Sequence, residues 1–291
     1  MSRPRILLTG ARGQVGWELQ RTLATLGTVF APRRDELNLA DGHAIRDMVQ
    51  RIRPQLIVNP AAYTAVDKAE SDTETARAIN AIAPAILAEE AKKIHASLLH
   101  FSTDYVFDGS KAGSWHETDT TAPLCVYGAT KLEGEQAIAA QGISYIILRT
   151  SWVYSLRGNN FLLTMQRLFR ERNALNIVND QFGAPTWSRM IAEASAQIIT
   201  QKPFSDPNLS GIYHLTCGGI TNWYDFARAI LARTTLPDGH HLALSPIPAS
   251  QYPTPAKRPG NSVLDNSKLM RAFGLQLPDW ERALALCLDT P

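Results

Sequence analysis

Short apolar runs alternate with longer amphipathic or helix-favouring segments through the first half of the chain. The runs fall at residues 5–9, 28–31, 56–59, 97–102 and 143–149. They are too short for buried helices and too continuously apolar for half-exposed strands, which marks strands covered on both faces. Residues 17–26, 45–52, 76–92 and 131–140 lie between them and show helical periodicity or composition. Strand and helix in alternation is the signature of βαβ units, and parallel crossovers are right-handed almost without exception. The pattern therefore predicts an α/β fold: a Rossmann-type, doubly wound parallel sheet.

Beyond about Trp152 the texture changes, with more Asn, Gly, Pro and aromatic residues and weaker alternation. This predicts a smaller, partly discontinuous C-terminal substrate lobe. The expected division is a dinucleotide-binding domain over 1–151, which also receives returning segments from about 186–216, and a mainly substrate-binding lobe over 152–291. Prolines at 246, 248, 253, 255 and 259 predict a surface loop there.

At 291 residues the chain exceeds the size at which one core usually stops growing, which fits two closely associated lobes. Charge is nearly balanced, 29 basic against 27 acidic residues, with no like-charge block. No nucleic-acid partner is expected on that basis. The opening apolar run is too short for a signal peptide or a membrane span, so no membrane association and a cytoplasmic location are expected. Cys125, Cys217 and Cys287 are odd in number, widely spaced and without a Cys-x-x-Cys pair, which predicts buried small apolar residues rather than disulfides or zinc ligands.

Gly10-Ala-Arg12-Gly13-Gln14-Val15-Gly16 follows the first strand and precedes a helix. In that setting Gly10 makes a tight turn, Gly13 lets backbone N–H groups approach a pyrophosphate, and Gly16 lets helix pack closely on strand. The helix N-terminus favours the phosphates. At the end of the second strand stand Arg33 and Arg34, where an NAD-specific site usually carries an acidic residue. Guanidinium groups pair with a 2′-phosphate, which predicts NADPH as the cofactor, with NADH possible; the alternative is that the arginines are a solvated loop and Asp35 serves the ribose. Small residues in Asn59-Pro-Ala61-Ala62-Tyr63-Thr64, closing the third strand, allow the nicotinamide-side ribose and phosphates close to backbone, although simple packing explains Ala61-Ala62 equally well.

Phe101-Ser102-Thr103-Asp104 ends the fourth strand, and Tyr127 and Lys131 stand four residues apart at the start of a helix, hence on one face. An ammonium beside a phenol favours the phenolate and lowers its pKa. Tyr127 can then act as general acid in ketone reduction, with the Thr103 hydroxyl donating to the substrate carbonyl.

Together these segments resemble the extended short-chain dehydrogenase/reductase family, and within it the dTDP-4-dehydrorhamnose reductases. The resemblance rests on 59–70, Ser102-Thr-Asp-Tyr-Val-Phe107, Arg149-Thr-Ser-Trp-Val-Tyr154, Asn179-Asp-Gln-Phe-Gly-Ala-Pro-Thr186 and Arg258-Pro-Gly-Asn-Ser262, in order along nearly the whole chain. It implies reduction of dTDP-4-dehydro-L-rhamnose to dTDP-L-rhamnose by hydride from NADPH, the final step of dTDP-L-rhamnose synthesis. Tyr127 would be the proton donor, Lys131 would bind the cofactor ribose and assist it, and Thr103 would orient the ketone. Gly13, Gln14, Val15, Ala61, Ala62 and Thr64 match cofactor positions. Asn38-Leu39 matches an adenine-side dipeptide that often begins with aspartate. Trp152 would contact the sugar with Tyr105 and Asp104 nearby, and Arg258 is the candidate phosphate partner. Asn160, Phe161, Gln181 and Thr186 are weaker substrate candidates.

Some bacterial members pair through a metal held by helix carboxylates. Glu18 fits one such position, but Arg189 occupies the place expected for the second, and a cation there opposes a metal. No metal is expected, and the chain is expected to be a monomer or a homodimer. Two alternatives belong to the same fold. A nucleotide-sugar epimerase or dehydratase would retain tightly bound NAD, and a non-catalytic regulatory subunit would not need Thr103, Tyr127 and Lys131.

Overall fold

The computed structural model describes residues 3–289, so positions 1, 2, 290 and 291 of the expected domains lie outside the described residues. The first half runs β1 (Arg5–Leu8), α1 (Gln14–Ala24), β2 (Thr28–Phe30), α2 (Gly42–Ile52), β3 (Leu56–Asn59), α3 (Val66–Ala69), α4 (Thr73–Arg77), a π-helical turn (Ala78–Ile82), α5 (Ala83–Lys93), β4 (Ser97–Thr103), a 3₁₀ turn (Asp104–Val106), α6 (Val126–Ala139) and β5 (Tyr145–Thr150). The second half contributes β6 (Val153–Tyr154), α7 (Phe161–Glu171), β7 (Ala174–Val178), β8 (Phe182–Gly183), β9 (Thr186–Trp187), α8 (Ser188–Thr200), β10 (Gly211–His214), β11 (Thr221–Asn222), α9 (Trp223–Leu231), β12 (Ala243–Ile247), α10 (Ser267–Phe273) and α11 (Trp280–Leu288).

The central sheet has the order β10-β5-β4-β3-β1-β2 and is parallel throughout. The chain leaves β1 toward β2 on one side and then crosses to β3 on the other. That reversal opens a crevice beyond the carboxyl ends of β1 and β3, where open α/β sheets bind ligands.

Period-2 alternation divides the strand side chains between two cores. Ile6, Leu8, Val58, Leu99, Phe101 and Leu148 face the side that also buries Leu19 of α1 and Ile191 of α8. Leu7, Ile57, Leu98 and Ile147 face Val49 of α2, Leu87 of α5 and Ile138 of α6. This sheet with helices on both faces is the Rossmann-like fold expected. The sixth strand, β10, comes from the second half and pairs with β5, and α8 packs on α1.

A third core gathers Tyr154, Leu162, Met165, Phe169, Trp187, Phe226 and Trp280. Here the proline-rich segment departs from its loop expectation: β12 runs parallel to β7, with Pro246 opposite Ile177. Within this two-stranded sheet one side of each strand has no sheet partner, so a residue without an N–H is tolerated. The remaining prolines do lie outside helix interiors, in loops, with Pro248 just ahead of a 3₁₀ turn. All three cysteines are buried.

Candidate active site

Gly10 adopts φ +57°, and a Cβ there would strike the Ala61 backbone at 2.8 Å, so glycine is what lets β1 and β3 close together beneath the crevice. A Cβ on Gly16 would collide with the Gly10 carbonyl, which makes Gly16 the close approach of helix to strand. The Gly13 amide donates to the Gly10 carbonyl at 2.9 Å and closes the turn.

These turns wall a cleft of about 190 Å³ lined in part by Gly10, Arg12, Gly13, Arg33, Arg34, Asn38, Leu39, Ala61 and Ala62. The cleft thus has glycine backbone on one wall, small residues on another and guanidinium groups at its mouth, a donor set that fits an anionic dinucleotide. Ala61 and Ala62 share the cleft with the arginines. Arg33 is not a bare cation: its Nε lies 3.5 Å from Glu36 and 3.7 Å from Asp35.

Other residues expected around the dinucleotide also make contacts within the protein. Val15 packs against the core on the α1 side of the sheet. Gln14 reaches into the second half, where its Oε1 accepts from Ser155 at 3.0 Å and Asn160 at 2.9 Å. The Tyr63 hydroxyl donates to Asp72 at 2.9 Å, and Thr64 is exposed ahead of α3.

At the end of β4, the Thr103 hydroxyl donates to Asp104 Oδ1 at 3.0 Å and accepts from the Tyr105 N–H at 3.2 Å. The Tyr127 phenol reaches the Thr103 side chain, and its ring meets that of Tyr105 edge-on at 5.6 Å. The close fit has a local cause. A Cβ on Gly128 would collide with the Tyr105 carbonyl, so glycine at this position lets the first turn of α6 seat against the 3₁₀ turn. Cys125 gives α6 no side-chain cap; Glu70 instead accepts from the Val126 N–H at 2.8 Å, placing a carboxylate at the helix N-terminus.

The electrostatics correct one expectation. Burial raises the Tyr127 pKa, and the Thr103 contact offsets this only in part. Lys131 does not lower it: the ammonium, itself brought down to about 8 by burial, donates to the Phe101 carbonyl at 2.6 Å and lies 3.1 Å from His100 Nε2. Four-residue spacing puts Tyr127 and Lys131 on one face, but the lysine tip turns under β4 toward its nearest acceptors. Asp104 is buried, with its carboxyl pushed up to about 6 by desolvation and its Oδ2 without a protein partner.

Among the expected substrate residues, Thr103, Asp104, Tyr105 and Tyr127 form one cluster. Trp152 follows β5 with φ +46°, and its indole stacks on Trp223 at 3.6 Å, so one ring face is covered. Arg258 pairs with Asp67 at 2.8 Å, which ties the C-terminal loop to α3; its Nε is buried without a partner.

The weaker candidates have structural occupations. Asn160 caps α7 through the Leu163 N–H and also donates to Gln14. Phe161 packs on Trp223 and Phe226, and the buried Thr186 accepts from the Cys217 N–H. Gln181 is half-buried beside β8. Glu18 is held by Arg21 and Arg189 by Glu193, and no group of His, Cys, Asp and Glu among the described residues is arranged to hold a metal.

Several participants were given no role from the sequence, although one of them, Ser262, closes the 258–262 motif. Asn80, inside the π-helical turn, takes the Tyr63 N–H at 2.8 Å and donates to the Tyr63 carbonyl and the Thr130 hydroxyl, so it anchors the loop after β3 to α6. Ser262 bonds Asp104. His100 was legible only as a polar residue within an apolar strand.

The chain matches the family model described as RmlD substrate binding domain over residues 4–291. It is 48% identical over 291 residues to the dTDP-4-dehydrorhamnose reductase of Burkholderia thailandensis, covering 98% of each chain. It is 46% identical over 283 residues to that of Escherichia coli K12, covering 95% of this chain and 94% of the other. A solved dTDP-4-dehydrorhamnose reductase from Bacillus anthracis, in complex with NADP, superposes with a TM-score of 0.89 at 33% identity over 100% of both chains.

Proposed function

The chain belongs to the dTDP-4-dehydrorhamnose reductase family, and from that premise we propose that it reduces dTDP-4-dehydro-L-rhamnose to dTDP-L-rhamnose with NADPH, completing dTDP-L-rhamnose synthesis. The observation that carries the reading is the meeting of Tyr127 with Thr103 and Asp104 at the carboxyl end of β4. When bound, the reduced dinucleotide supplies a hydride to the C4 carbonyl carbon. Gly10, Gly13, Arg33, Arg34, Asn38, Leu39, Ala61 and Ala62 hold its adenosine and phosphate portions along the cleft they line.

Tyr127 gives its phenolic proton to the carbonyl oxygen, which becomes the C4 hydroxyl. The phenol is protonated at neutral pH; burial opposes its giving up the proton, and the Thr103 contact works in the other direction by favouring the phenolate that is left behind. Thr103 lies beside the phenol and, by turning its one hydroxyl proton from Asp104 Oδ1, donates a hydrogen bond to the same oxygen as it becomes negative. Lys131 supplies positive charge beneath the site and holds the ribose. Asp104, Tyr105 and Trp152 surround the sugar.

Arg258 takes a phosphate of the substrate by exchanging its bond to Asp67, and its unpartnered buried Nε supports that second allegiance. Functionally the chain divides into a dinucleotide half, 1–151 with returns from about 186–216, and a mainly substrate-binding 152–291. No described helix is long and apolar enough to cross a membrane. We place the enzyme in the cytoplasm, as a monomer or a homodimer.

Loss of reduced-nicotinamide absorbance on adding dTDP-4-dehydrorhamnose tests the reading, with both cofactors compared. NADPH is expected to show the lower KM, and Arg34→Ala to narrow the difference by about tenfold, the order of one charge-assisted bond. Absence of turnover with either cofactor refutes the assignment.

A further inference from the structure

Three polar residues interrupt the apolar strands in a single row. Thr9 follows β1, Asn59 ends β3 and His100 lies within β4. Leu8 pairs with Val58 in the sheet register, which sets Thr9 beside Asn59, and Asn59 pairs directly with His100. Alternation puts all three on the face of Leu7, Ile57 and Leu98, the face covered by α5 and α6. All are buried, Asn59 and His100 completely. The row ends on Lys131: Thr9 Oγ1 to Asn59 Oδ1 is 2.5 Å, Asn59 Nδ2 to His100 Nδ1 is 3.0 Å, and His100 Nε2 to Lys131 Nζ is 3.1 Å.

Donor and acceptor counting restricts what this row can be. A neutral imidazole carries one N–H and one acceptor nitrogen. With the Asn59 amide nitrogen opposite Nδ1, the ring proton must sit on Nε2, where it faces an ammonium that can only donate. A half-turn of the amide, which exchanges its nitrogen and oxygen, removes the conflict. Oδ1 then accepts from Nδ1–H, Nε2 accepts from Lys131, and Nδ2 donates to Thr9. Every contact becomes donor to acceptor, and none of the buried atoms is orphaned.

We propose that His100 is a positioning residue for the reaction: held as the Nδ1–H tautomer by Asn59 and Thr9, it accepts a hydrogen bond from Lys131 and so fixes the ammonium in its charged form under the site. The proposal rests on the reading of Lys131 as the cation that lies beneath the site and holds the cofactor ribose. Burial and the lysine charge both push the His100 pKa well below its ordinary value, so the ring stays a neutral acceptor. The charged groups around it are Lys131 and Glu135 on α6; Arg149 of β5 is bound to Glu135 at 2.9 and 2.6 Å, and Asn59 and Thr9 carry no charge.

The test compares His100→Phe, which keeps the ring volume and removes the acceptor, with His100→Gln, which restores one, and with Lys131→Met. His100→Phe is expected to lower kcat about tenfold, the order of one charge-assisted hydrogen bond. The alkaline limb of its kcat profile moves to lower pH, because a lysine without its acceptor loses its proton sooner. KM for the sugar nucleotide stays close to that of the unmodified enzyme, and His100→Gln recovers most of the turnover.

Nitrogen-15 NMR of labelled histidine in the unmodified protein reads the tautomer directly and does not depend on any variant folding. The expected signal is Nδ1–H at neutral pH. An Nε2–H tautomer overturns the proposal, as does a His100→Phe enzyme with unaltered kcat and an unmoved alkaline limb beside an inactive Lys131→Met. Full turnover in Lys131→Met instead refutes the underlying reading of the lysine.

Discussion

Asp104 carries an electrostatic penalty at the most crowded point of the site. Its carboxyl rises from an ordinary 3.8 to about 6 because desolvation outweighs the bonds from Thr103 and Ser262. The folded protein therefore holds that proton more tightly than the unfolded chain does. The stabilising contribution is full below about 4 and is lost as pH rises through about 6. Asp104→Asn removes the ionisation, so its unfolding midpoint in urea relative to the unmodified protein should be higher at pH 8 than at pH 4.5, while turnover falls. An advantage that stays the same at both pH values contradicts the assignment. Thr103, Tyr127 and Lys131 were legible as a constellation because their spacing and neighbours repeat a chemical logic. The direction of the Lys131 side chain was not, since it depends on acceptors supplied by β4 that no local pattern reveals. Asn80 escaped notice, and Ser262 was quoted in a motif without a role, for the same reason: each acts on a partner far away in sequence.

The decisive element is α6. It brings Tyr127 to Thr103 through Gly128 against the 3₁₀ turn, and Gly134 gives a second close approach, where a Cβ would meet the Asn80 carbonyl. An alanine in a helix interior gains about 1 kcal/mol over glycine. At Gly128 the collision is with backbone, and overpacking of that kind costs typically about 1–3 kcal/mol. Gly128→Ala should therefore be neutral to destabilising in urea titration and should lower kcat well beyond what its stability change explains, because α6 shifts away from β4. A more stable variant with full turnover contradicts the role given to this contact. Five of the six strands of the sheet and the longer helices between them were readable from periodicity or continuous apolar runs, whereas β10 and the short helices α3 and α4 were not. The two-residue strands β6, β8, β9 and β11 were not, as so short a pairing has no period. The π-helical turn at 78–82 was hidden within an otherwise unbroken helical pattern, and β12 was masked by its proline.

At the scale of the molecule, the two halves share the site rather than meeting at one surface. β10 returns to the sheet, Gln14 bonds Ser155 and Asn160, Arg258 bonds Asp67, and Ser262 bonds Asp104. The glycine-rich loop and the C-terminal loop are thereby each tied to the other half of the chain. Sequence texture showed that the chain changes character near Trp152, but these cross-connections became visible only in three dimensions. The central claim is that Tyr127 delivers the proton as the C4 ketone is reduced. Single-turnover oxidation of enzyme-bound NADPH by dTDP-4-dehydrorhamnose, followed in the unmodified enzyme and in Tyr127→Phe, tests it most directly. Both proteins should bind NADPH with similar affinity, and the oxidation should be slower by a factor of about 10²–10⁴ in the variant. Equal rates in the two would contradict it.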